Sequence, residues 1–122
     1  MQQANTADTA DCRPLSEALA KIGDKWTILI AMQLETGPKR FSALQRSVAG
    51  ISQRMLALTL RGLERDGLVW RTVYPTKPPS VEYGLTDLGS EMVVPVRTLG
   101  TWVTDNLHRI EEARRAFDAA AD

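Results

Sequence analysis

Residues 52–66, SQRMLALTLRGLERD, constrain this chain more than any other stretch. Leu56, Leu60 and Leu63 recur at i, i+4 and i+7, a helical period that puts all three on one face. At about 100° per residue, Arg54, Leu58, Arg61 and Arg65 fall on the opposite side. Ser52 is placed to cap a free N–H of the first turn, and Ile51 and Leu56 are spaced as a hydrophobic staple. Gly67 follows as a stop. Such a helix has to bury its leucines against a core and turn its arginines outward. In isolation the arginine row suits either phosphate or plain solvent.

The segments around it narrow that choice. Phe41, Leu44 and Val48 predict a short helix over 41–48, and Ala49-Gly50-Ile51 form a three-residue turn into the arginine-bearing helix. Two helices joined by a tight glycine turn, the second basic on its outer face, match a helix-turn-helix. After Gly67 the period changes from 3.6 to 2: 69–74, VWRTVY, and 81–85, VEYGL, predict two strands around a proline-rich loop at 75–80. A hairpin directly behind a recognition helix is a wing, and its prolines remove donors that would invite edge pairing.

Upstream, Pro14 opens a predicted helix to Ile22, with Leu15, Leu19 and Ile22 on one face and residues 1–11 before it as a flexible tail. Asp24 caps a second helix over 24–36, apolar nearly all round and therefore central. Downstream, Leu88, Met92, Val96, Leu99, Val103, Leu107 and Ile110 continue a helical stripe from Thr86 towards Phe117, with Pro95 placed to kink or split it. A winged-helix core is complete without this stripe. A second copy of the chain would cover it, although folding back on its own domain would serve as well. The expected fold is mainly α with a small β-hairpin. It comprises a winged helix-turn-helix domain at 12–85, with an extra N-terminal helix, and a dimerisation helix at 86–122.

Charge distribution supports a nucleic-acid partner. The formal net charge is zero, but the stretch Gly37–Lys77 holds eight basic and two acidic residues, a local +6 between acidic ends. Catalysis finds little support. His108 is the single histidine and Cys12 the single cysteine, so no zinc spacing or disulfide framework exists, and no phosphate-binding or nucleophile-elbow motif occurs. No cofactor is implied. No apolar run approaches the roughly 20 residues of a membrane span, and the N-terminal residues lack a signal-peptide pattern, so a cytoplasmic location is expected. A winged-helix module used only for protein interaction remains the alternative, one that would need no basic outer row.

The segments IGDKWTILI (22–30), GPKRFSALQR (37–46), GISQRMLALTLRGLERDGLVWRTVYP (50–75), PPSVEYGLTDLG (78–89) and Trp102 together resemble the HxlR-type family of bacterial winged-helix transcriptional regulators, in family order and over about residues 12–110. The resemblance implies a homodimer held by its terminal helices, with Leu99, Trp102, Val103, Leu107 and Ile110 at the interface. It also implies double-stranded DNA as partner, a palindromic operator, and repression as the commoner outcome. The family's reading positions fall on Ser52, Gln53, Arg54, Ala57, Leu58 and Arg61. Ser52 suits a phosphate, Gln53 or Arg54 base edges, and Arg61 the backbone. Lys39 and Arg40 are further phosphate candidates, while Arg71 and Lys77 follow the wing. Many members carry Thr where this chain has Ala57, which leaves only a methyl to pack on thymine. Some relatives sense oxidants or electrophiles through a cysteine before the first helix. Cys12 lies in that neighbourhood, beside Arg13 and near the expected helix start, although in relatives the cysteine directly precedes the proline. A small-molecule or oxidant inducer is compatible with this reading.

Overall fold

In the computed structural model, which describes residues 6–121, five helices and three short strands follow one another along the chain. Helix α1 (Thr6–Ile22) leads into α2 (Lys25–Leu34). Strand β1 (Lys39–Arg40) then precedes α3 (Phe41–Ser47) and α4 (Gln53–Arg65). The wing strands β2 (Val69–Tyr74) and β3 (Ser80–Leu85) deliver the chain to α5 (Asp87–Ala120).

The core forms where the predicted apolar faces meet. Ile30 and Leu34 of α2, Leu44 of α3, and Leu56, Leu60 and Leu63 of α4 are buried together with Val48, Ile51, Leu68 and Val69. Helix ends fall where the cap chemistry puts them. Asp24 accepts from the amides of Trp26 and Thr27, Ser52 from Met55, and Thr86 from Gly89. Gly67, at φ 76°, closes α4: its amide bonds to the Glu64 carbonyl and that of Leu68 to Leu63.

The structure adds to or departs from the sequence expectations at four points. The hairpin is the larger part of a three-stranded antiparallel sheet, ordered β1-β3-β2, with Lys39 opposite Tyr83 and Arg40 opposite Glu82. A two-residue strand has no period to detect, and its existence depends on the edge that β3 presents. Helix α1 starts at Thr6 rather than near Pro14, so Pro14 lies inside it, where it forfeits one ladder bond and its ring crowds the preceding turn. Of the tail expected over 1–11, residues 1–5 lie outside the described region and the rest belong to α1. Finally, of the kink or split expected at Pro95, the split does not occur, since α5 runs unbroken through Pro95 for 34 residues. Its first half packs on α2: Gly100 lies against the Met32 thioether, Arg97 pairs with Glu35, and Val93 and Val96 are buried. That packing compensates for the single hydrogen bond proline cannot make.

The wing root is tightly joined to α5. Thr86 donates its amide to the Leu68 carbonyl at 3.1 Å and its hydroxyl to that of Gly67 at 2.6 Å. A Cβ on Gly89 would lie 2.0 Å from the Leu68 carbonyl oxygen, so only glycine admits this approach. No described helix is long and apolar enough to cross a membrane.

Candidate nucleic-acid interface

Helix α4 is held by its leucines, Leu56 and Leu60 fully buried and Leu63 nearly so. Rotation about the helix axis is therefore determined, and Ser52, Gln53, Arg54, Ala57, Leu58 and Arg61 are all exposed. The Ser52 hydroxyl accepts from the Met55 amide at 3.0 Å, which orients the first turn while leaving other free N–H groups there for an anion. Gly50, at φ 83°, makes the turn out of α3, and Ile51 drops into the core, so α4 leaves the turn at a defined angle.

The two flanks of α4 differ. On the sheet side, Ala57 and Arg61 share a cleft with Glu64, Arg71 and Tyr83, which brings the guanidiniums of Arg61 and Arg71 to one surface. On the other side, Met55, Leu58 and Thr59 border a groove closed by Ile22 and Thr27, with Lys21 and Asp66 paired at 3.5 Å on its rim. Leu58 is half exposed on the shoulder of this groove, so its surroundings are partly apolar rather than wholly solvent.

At the wing, the loop between β2 and β3 folds back on itself, the Thr76 hydroxyl donating to the Pro78 carbonyl at 2.8 Å. Lys77 and Arg40, 37 positions apart in sequence, line one cleft together with Ser42 and Thr76. Lys39, on the same two-residue strand, instead reaches back to the Thr36 hydroxyl at 2.8 Å. Residues that sequence reasoning does not single out also belong here. Tyr74 donates its hydroxyl to Glu82 Oε1 at 2.9 Å beside Arg40. That carboxylate pushes the phenol above its ordinary value, chiefly through the hydrogen bond and then by its charge, while Arg40 pulls it back. The alternation of β2 puts Tyr74 on the outer face, but its partner depends on cross-strand register, which the sequence does not display.

The three tryptophans occupy separate places in the fold. Trp26 packs on the core with Lys25 Nζ 4.2 Å from its ring centre, and Trp70 lies flat over Gly84. Trp102 is exposed far along α5. Cys12 is exposed as well, but it sits within α1, beyond its first turn. The helix start expected beside it lies about one and a half turns upstream, at Thr6. Among the described residues no His/Cys/Asp/Glu group has the arrangement of a metal site.

This architecture is shared with characterised folds. The family model for HxlR-like helix-turn-helix proteins matches residues 21–111. The HTH-type transcriptional regulator YtfH of Escherichia coli is 41% identical over 101 residues, covering 83% of this chain and 80% of that protein. The solved structure of the transcriptional regulator ytfH from Salmonella typhimurium superposes with a TM-score of 0.81 at 40% identity, over 84% of this chain and 91% of that one. The redox regulator HypR in its reduced form superposes at 0.73 with 39% identity, over 81% and 98%. A capped, arginine-faced helix behind a glycine turn and in front of a basic wing, matched at this identity over most of its length, is the apparatus of a transcriptional regulator and not of an enzyme. The chain belongs to the HxlR-like helix-turn-helix family.

Proposed function

We propose that the chain acts as a homodimeric repressor on a palindromic operator, with α4 in the major groove and the loop at 75–80 near the minor groove. One observation carries this reading. The buried leucines of α4 turn Gln53, Arg54, Ala57 and Arg61 outward on one surface, and the wing extends that surface with further cations. In this reading Gln53 and Arg54 meet base edges, while Ser52, Lys39, Arg40, Arg61, Arg71 and Lys77 grip phosphate. Residues 12–85 form the DNA-binding unit and 86–122 the dimerisation unit. The exposed stripe of Leu99, Trp102, Val103 and Leu107, extended by the half-buried Ile110, supports the second assignment.

Binding measured on the chain's own upstream DNA across a salt series tests the proposal. A dimer neutralising several phosphates per subunit loses affinity steeply as salt rises, whereas a protein-interaction module shows no specific complex to begin with. Arg54→Ala should lose about 1–3 kcal/mol of discrimination against a scrambled site. Unchanged sequence preference would remove Arg54 from base reading.

Cys12 is our candidate for an oxidant or electrophile response, supported by its exposure and by the likeness to HypR, a redox regulator. Diamide should release operator DNA from the native protein and leave the Cys12→Ser complex intact. An equal response in both proteins would exclude Cys12.

A further inference from the structure

We infer that Tyr74 is a positioning residue of the DNA interface: its hydroxyl holds the Glu82 carboxylate off Arg40 and so keeps that guanidinium available to phosphate. Glu82 is the only acidic residue between Gly67 and Thr86, and β-sheet register puts it directly opposite Arg40. Opposed side chains of this kind are close enough to pair, and arginine with a carboxylate is the pairing register alone would favour. They do not pair. Among the described residues the ion pairs are Lys21 with Asp66 and Arg97 with Glu35, and neither includes Arg40 or Glu82.

Tyr74 occupies the carboxylate instead. Glu82 faces Thr72 across β2–β3, and Tyr74 lies two positions along β2 on the same face. The phenol thus reaches Glu82 on the diagonal and donates to Oε1 at 2.9 Å. Arg40 is near enough to act on the phenol's charge, as its opposing influence on Tyr74 shows. Left unpaired, Arg40 lines the wing cleft with Ser42 and Lys77, two cations and a hydroxyl of the kinds that hold phosphate. A carboxylate swung onto Arg40 would cancel one of those cations.

The inference rests on reading Arg40 as a phosphate ligand, so the experiment separates the two. Affinity for a mixed-sequence, fluorescein-labelled DNA duplex is measured over a potassium chloride series, since phosphate contacts do not depend on sequence. Tyr74→Phe should bind about fivefold more weakly at low salt, with the salt slope reduced by about one per subunit. Glu82→Gln in the Tyr74→Phe background should restore both, because a neutral amide no longer competes for the guanidinium. In an Arg40→Ala background, Tyr74→Phe should change nothing further. Native-like binding by Tyr74→Phe, or a loss that Glu82→Gln does not restore, overturns the positioning role. Native-like binding by Arg40→Ala overturns the phosphate reading itself, and this inference with it.

Discussion

Helices α4 and α5 are both amphipathic, yet they put their faces to opposite use. In α4 the apolar stripe is spent inside the protomer: Leu56 and Leu60 are 0% exposed and Leu63 is 5%. In α5, from Leu99 onward, the stripe faces out, with Leu99 and Trp102 each 54% exposed and Leu107 44%. The face a helix leaves over indicates its partner. Arginines held outward on a rigid axis suit a polyanion, and an outward apolar stripe suits another apolar helix. The contrast also assigns energetics. Changes on the inner face of α4 should act on folding, those on the outer face of α5 on assembly, and those at the wing least on either.

The largest expected effect is on the inner face. Leu60→Ala removes a fully buried side chain and should cost about 2–5 kcal/mol of stability in a chemical denaturation curve. A loss under about 1 kcal/mol would mean that α4 is not anchored as described. Trp102→Glu comes next and should leave stability per protomer nearly intact while weakening self-association by about 2 kcal/mol or more, roughly a thirtyfold rise in dimer Kd by analytical ultracentrifugation. An unchanged association constant would break the comparison, since α5 would then have left its stripe to solvent. Ser52→Ala removes the cap of α4 and should cost about 1 kcal/mol by thermal or chemical denaturation, less where water takes over the bond to the Met55 amide.

The smallest effect is at the wing. The Tyr74 phenol is held neutral by Glu82, above its ordinary value of 10.0. A raised value in the folded state means that this contribution is complete below about pH 10 and is lost as pH rises through the folded value. Ultraviolet titration of the phenol should therefore move to lower pH in Glu82→Gln, with a small fall in the unfolding midpoint at neutral pH that disappears as pH rises through the folded value of the native phenol.

How far the sequence can be read depends on the range of the interaction concerned. The turn at Gly50, the cap at Ser52, the stop at Gly67 and the register of leucines in α4 are local, each decided by sterics or hydrogen bonding within a few residues. They are legible for that reason. Strand β1 is not, because two residues carry no period and their pairing with Tyr83 and Glu82 bridges more than 40 positions. The start of α1 escapes a reading that takes Pro14 as a helix opener, because the helix continues upstream of an interior proline despite the lost bond and the crowding of its ring. The convergence of Arg40 with Lys77 and the seating of Glu82 under Tyr74 follow from sheet register.

The sequence by itself thus determined the helices and the two wing strands, which face of α4 goes inward, and that basic charge gathers in the middle of the chain. Periodicity and charge are properties of residue order, and they survive without knowledge of the fold. Tertiary structure alone decided which cations share a cleft and that Pro95 leaves α5 whole. Those outcomes depend on contacts between distant segments, whose geometry no local pattern encodes. It also gave Gly89 its purpose, a close passage over the Leu68 carbonyl that a side chain would block.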